Sequence, residues 1–150
     1  MSDEKLILLV EDNPADARLT TMAFKRSHIA NRLALVRDGA EALDFLFRHG
    51  AYAERDPAEL IALVLLDLKL PKISGLEVLE ALRADPVLAL TPVVILTSSS
   101  EEEDIVRSYQ LGANSYLRKP VEFEKFLDAA SQLGLYWLLL NEGPPRVRTP

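Results

Sequence analysis

The chain has 150 residues, 49% hydrophobic and 27% charged, a balance that describes one globular domain and excludes a disordered or fibrous chain. Its 23 Asp and Glu against 17 Lys and Arg leave a net charge of −6, which argues against a nucleic-acid surface. There is no cysteine, so disulfides, thiolate metal sites and cysteine catalysis are excluded.

The amino terminus, MSDEKLILLVEDNP, is acidic before a short apolar run and lacks the cleavage site of a signal peptide. The longest apolar runs, IALVLL (61–66) and LGLYWLLL (133–140), fall short of the ~20 residues a bilayer requires, so the expectation is a cytoplasmic protein without a membrane span. LILLV (6–10), IALVLL and VVIL (93–96) read as strands buried on both faces, because unbroken Leu, Ile and Val are what a covered parallel sheet produces. RLALV (32–36) and NSYLR (114–118) are shorter and suit edge or near-edge positions.

Helical patterns separate these runs. Asn13 and Pro14 read as an N-cap and a first-turn proline, with Leu19, Met22, Ala23 and Arg26 following at helical spacing. Asp38 and Glu41 resemble a capping box before a stripe of Ala40, Leu43, Leu46 and Phe47. Leu76, Leu79 and Leu82 predict a third helix that stops before Asp85-Pro86. Ser99 and Ser100 precede three glutamates and open a fourth, which Leu111-Gly112 ends. A fifth runs from about Val121 towards Asn141, with Phe123, Phe126, Leu127, Ala130, Leu133 and Trp137 on one stripe. Five βα units with right-handed crossovers give an α/β three-layer sandwich over residues 1–141, and EGPPRVRTP (142–150) reads as a flexible tail. His28 and His49 fall on helix faces away from the acidic residues and read as structural or surface residues.

Polar residues enter at the carboxyl ends of the strand runs. Glu11 and Asp12 follow the first, Asp67 the third, Thr97 the fourth and Lys119 the fifth. In an open parallel sheet, ligands bind in the crevice outside those ends. Three carboxylates packed together repel unless a cation joins them. Oxygen ligands without His or Cys select a hard ion such as Mg²⁺. The cation and Lys119 could neutralise a phosphoryl group, Thr97 could donate to one of its oxygens, and the Asp67 carboxylate could attack phosphorus. Any one of these residues could merely cap a helix; five at strand ends is a pattern.

VEDNP (10–14), LLDLKLPKISGLEVL (65–79), ILTSS (95–99) and YLRKP (116–120) resemble, in order, the four motifs of response-regulator receiver domains. Thr97 lies 30 residues after Asp67 and Lys119 22 after Thr97, spacings similar to the family's. The resemblance covers residues 5–135 or so and implies a flavodoxin-like parallel five-stranded sheet of order 2-1-3-4-5. It implies Asp67 as phosphoacceptor, and Mg²⁺ held by Glu11, Asp12, Asp67 and the carbonyl of Lys69. It further implies Thr97 as the switch hydroxyl, Lys119 as the phosphate-binding ammonium, Tyr116 as the switch aromatic and a cis peptide before Pro120. Lys69, two residues after the acceptor, occupies a position that tunes phosphoryl lifetime in the family.

The lengthened segment HGAYAERDPAEL (49–60), which puts Asp67 55 residues after Asp12, and the ending LGLYWLLLNEGPP resemble the single-domain regulators that accompany bacterial phytochromes. The implied donor is a sensor histidine kinase, phytochrome-like in the narrower reading. Leu135, Tyr136, Trp137, Leu138, Leu139 and Leu140 cover every face of the last helix and predict a partner surface. The expected partner is a second copy of the chain, through the fourth helix, fifth strand and fifth helix. Since the receiver fills nearly the whole chain, the expected output is protein binding, phosphorelay, or service as a phosphate sink. An aspartate-nucleophile phosphatase of the haloacid-dehalogenase type is disfavoured because Lys69 stands where its general acid belongs. A receiver that has lost its chemistry is disfavoured by the complete residue set, and a flavin protein by the missing phosphate loop.

Overall fold

The computed structural model describes residues 5–26, 31–57, 59–98, 102–119, 122, 124–126 and 128. Its strands are β1 (Lys5–Val10), β2 (Arg32–Val36), β3 (Leu60–Leu66), β4 (Val93–Thr97) and β5 (Ser115–Arg118). The helices between them are α1 (Pro14–Arg26), α2 (Gly39–Phe47), α3 (Gly75–Ala84) and α4 (Glu102–Gln110). All strand pairs are parallel and the order is β2-β1-β3-β4-β5, the flavodoxin-like arrangement expected. The two short runs, β2 and β5, form the edges. Among the described residues, no helix is long and apolar enough to cross a membrane.

Alternation along the central strands divides the core in two. Leu6, Leu8 and Val10 pack with Val64, Leu66, Val93 and Ile95 against Phe45 and Leu46 of α2 and Val78, Leu79 and Leu82 of α3. Ile7 and Leu9 point the other way, joining Leu63, Leu65, Val94 and Leu96 under Phe24 and Phe126. Burial on both faces is why these strands read as unbroken apolar runs. The Phe24 and Phe126 rings lie 4.7 Å apart and tie α1 to the segment after β5.

The helix termini follow their local chemistry. Asn13 Oδ1 accepts the N–H of Asp16 at 3.0 Å, capping α1 as expected. Asp38 accepts the N–H of Glu41 at 2.7 Å, but Glu41 returns its carboxylate to the N–H of Arg37 rather than to that of Asp38, so the expected box closes one residue early. A complete capping box stands instead at α3, between Ser74 and Glu77. Gly112, at φ 98, follows α4 in a left-handed conformation that suits glycine, and Arg83 donates to its carbonyl from Nε at 3.0 Å and Nη2 at 2.7 Å.

On α1 the helix stands as expected, and its buried face is not the stripe of Leu19, Met22, Ala23 and Arg26. Its buried face is Ala17, Thr20 and Phe24, while Leu19 is 59% exposed and Met22 41% exposed. The helix turns towards Phe126, and the strongest apolar ring takes the core. The segment 49–60 packs back on α2: Tyr52 donates to Glu41 at 2.6 Å, and the Arg55 guanidinium lies 4.5 Å from the Phe45 ring centre while bonding the carbonyls of Phe45 and Glu59. His49 is exposed beside Phe47, as a surface residue. His28, Pro120, Leu135, Tyr136, Trp137, Leu138, Leu139, Leu140 and the 142–150 tail lie outside the described residues.

Candidate functional site

The first, third and fifth strands end at one rim, and there the sheet delivers its charged residues. Glu11 leaves β1 with its N–H bonded to the Val36 carbonyl of β2 at 3.0 Å. Asp67 leaves β3 with its N–H on the Val10 carbonyl of β1 at 3.1 Å. Both backbones thus remain part of the hydrogen-bonded sheet, and both side chains are buried, at 2% and 5% residue exposure. One carboxylate oxygen from each of Glu11, Asp12 and Asp67 lies within 4.8 Å of the others.

Lys119, directly after β5, brings its ammonium into this group. Nζ lies 2.6 Å from Glu11 Oε1, 2.9 Å from Asp67 Oδ2 and 3.0 Å from Asp16 Oδ2 on α1. The remaining oxygens also have donors: the N–H of Asn13 reaches Glu11 Oε2 at 3.1 Å, and that of Lys69 reaches Asp67 Oδ1 at 3.2 Å. The backbone therefore aims both carboxylates while leaving Asp12 exposed at the mouth.

Electrostatics follow from this crowding. Burial pushes the Glu11 carboxyl up to about 7, against the hydrogen bonds from Lys119 and Asn13 that favour its anion, and the Asp67 charge adds to the rise. Burial alone would lower the Lys119 ammonium. Hydrogen bonds to Glu11, Asp67 and Asp16 outweigh it, and the group titrates above its ordinary value. The site is a cluster of anions held together by one cation.

Comparison with known proteins decides the family. The model of the response regulator receiver domain matches residues 7–131, five-sixths of the chain. This chain belongs to the response regulator receiver domains. The receiver is 42% identical over 142 residues to the regulator FilR2 of Methanothrix harundinacea, covering 95% of this chain and 89% of that protein. It is also 42% identical to response regulator Rcp1 of Synechocystis, covering 92% and 95%. The solved bacteriophytochrome response regulator AtBRR shares 52% identity at a TM-score of 0.83, covering 93% of the receiver and 99% of that chain. A Mn²⁺-bound form of Rcp1 shares 40% identity at a TM-score of 0.74, covering 89% and 94%. The receiver is thus a two-component response regulator resembling those associated with phytochromes, in a family whose members receive phosphate from histidine kinases.

The structure brings Glu11, Asp12, Asp67 and Lys119 of the receiver to one place, as the strand-end reading requires. Among the described residues the donor set consists of clustered carboxylates with no nitrogen or sulfur ligand, which fits a hard divalent cation. Thr97 ends β4 in register with Arg118, and its side chain lies outside the described set. Tyr116 pairs with Ile95 and is half-buried against the α2–α3 side of the core. Asp16 was not foreseen. In sequence it reads as a first-turn acid stabilised by the helix dipole, and the sole hint of more is its position on the helix that leaves the Glu11-Asp12 rim.

Proposed function

We propose that the receiver accepts a phosphoryl group from a phosphohistidine onto Asp67 and that the new acyl phosphate biases a protein-binding surface. The observation that carries this reading is the buried Asp67 carboxylate at the end of β3, 2.9 Å from Lys119 Nζ and clustered with Glu11 and Asp12. Mg²⁺ is the proposed ion, with Glu11, Asp12, Asp67 and the Lys69 carbonyl as its holders; when bound it screens the charge of the transferring group. An Asp67 oxygen forms the new bond to phosphorus. The phosphorus–nitrogen bond of the donor breaks, and its electron pair leaves with the imidazole, which keeps or takes up a proton.

Lys119 then serves the phosphoryl oxygens. Its present partners are the acceptor Asp67 itself and the neighbouring carboxylates of Glu11 and Asp16, so an arriving dianion competes for the same protons. Thr97 is assigned the switch hydroxyl and Tyr116 the ring that follows it, which makes the β4–β5 rim the bistable element. Because the receiver supplies these groups itself, phosphorylation by a small phosphodonor should proceed without a kinase. The similarity to bacteriophytochrome regulators supports a phytochrome-like sensor kinase as the natural donor. The apolar stretch Leu135, Tyr136, Trp137, Leu138 and Leu140 supports a homodimer through the fourth helix, fifth strand and fifth helix.

Acetyl phosphate with Mg²⁺ tests the assignment. Wild type should gain a hydroxylamine-sensitive adduct that Asp67→Asn lacks. An adduct that persists in Asp67→Asn, or steady phosphate release from varied phosphomonoesters, would overturn it in favour of other chemistry.

A further inference from the structure

Lys119 donates to three carboxylates, and only two of them belong to the group that could hold a cation. Glu11 and Asp67 each place an oxygen in the 4.8 Å cluster with Asp12, and Asp16 is not in it. Asp16 reaches Nζ at 3.0 Å from the first turn of α1. That turn is fixed from two sides: Asn13 accepts the Asp16 N–H at 3.0 Å, and Ala17 and Thr20 are buried directly after it. An ammonium has three protons, and here each finds one carboxylate.

A divalent ion held by Glu11 and Asp67 would compete with the ammonium for those two carboxylates and repel it by like charge, whereas Asp16 stands outside the cluster. Asp16 is then the partner that remains. We infer that Asp16 is a positioning residue: it keeps the Lys119 ammonium at the mouth of the loaded site, leaving two of its protons for the oxygens of an incoming phosphoryl group. This rests on the roles proposed above for Asp67 and Lys119. The plainer account of Asp16, an acid stabilising a helix N-terminus, needs no Lys119 and predicts an effect on stability alone.

Beryllium fluoride with Mg²⁺, a phosphoryl mimic, separates the two accounts when binding is measured by calorimetry. Asp16→Ala should weaken binding roughly tenfold, within the range of coupling between groups in contact. Asp16→Asn, which keeps an oxygen acceptor without its charge, should lose less. In a Lys119→Met background, Asp16→Ala should add nothing. Nuclear magnetic resonance of ¹⁵N-lysine-labelled protein gives a second readout without a phosphoryl mimic. With EDTA, the Lys119 ammonium protons should stay protected from exchange in both wild type and Asp16→Ala, since Glu11 and Asp67 hold them. With Mg²⁺, protection should survive in wild type and vanish in Asp16→Ala. Wild-type binding by Asp16→Ala, or a loss that persists undiminished in the Lys119→Met background, would overturn the inference while sparing the site. Wild-type binding by both Lys119→Met and Asp67→Asn would overturn the site assignment itself.

Discussion

Gly75 opens α3 where that helix meets the backbone of Asp67, and its substitution by alanine is a severe local perturbation. A Cβ at this position would stand 2.2 Å from the Asp67 carbonyl oxygen and 2.7 Å from Leu68 Cα. Restoring an ordinary contact of 3.4 Å requires about 1.2 Å of movement. Neither side yields easily. The Asp67 N–H is bonded to Val10 in the centre of the sheet, and α3 is held by the fully buried Val78, Leu79 and Leu82. Overpacking of this kind costs about 1–3 kcal/mol. For a domain of this size that corresponds to a melting temperature lower by ~2–12 °C. A misplacement near 1 Å at a reacting group can slow the chemistry by ~10²-fold. Gly75→Ala should therefore melt earlier by calorimetry and, while still folded at 20 °C or so, incorporate phosphate from acetyl phosphate far more slowly than wild type. A variant that melts within a degree of wild type and phosphorylates at full rate would refute the close approach of α3 to the acceptor.

Two other perturbations have definite expected outcomes. Glu11 is an acid whose folded value, about 7, lies above its ordinary 4.5, so its contribution to stability is fully present below 4.5 and is lost as pH rises towards 7. Metal-free protein should melt at lower temperature at pH 7.5 than at pH 5, and Glu11→Gln should flatten that slope; an unchanged slope in calorimetric melts with EDTA would count against the buried acid. Arg83 donates to the carbonyls of Gly112, Ala89 and Thr91 and to Asn114 Oδ1, at 2.7 to 3.1 Å. Arg83→Met, which keeps the aliphatic stem, should cost about 2–4 kcal/mol, or a melting point lower by ~4–16 °C; a shift below 2 °C or so would show these bonds to be idle.

The sheet was legible because each strand run is apolar on both faces, and the edges because β2 and β5 are short. The rim chemistry was legible for a related reason: a carboxylate or ammonium directly after a buried strand has nowhere to go but the crevice. α1 shows where such reading stops. Leu19, Met22 and Ala23 are apolar at helical spacing while Phe24 falls on another face with Ala17 and Thr20, and the choice between those faces depends on where Phe126 sits, about a hundred residues on. Asp16 escaped notice because a helix dipole already explains an acid in a first turn. The box at Ser74 and Glu77 was written plainly as S-x-x-E and could have been read; the bonds of Tyr52 and Arg55 could not, since their partners become neighbours only after the chain has folded.

The turn around Tyr52 and Arg55, pinned to α2 through Glu41 and Phe45, feeds β3 at its amino end, whereas the acceptor stands at the other. Seven strand residues at about 3.3 Å each put roughly 20 Å of hydrogen-bonded sheet between them. A peptide grafted at the exposed Ala53 and Glu54, with Tyr52 and Arg55 left in place, would therefore sit far from the strand ends that fix the distances among Glu11, Asp67 and Lys119. The two ends of one strand answer to different pressures, and a protein engineer wanting a handle on this molecule has a place to attach it.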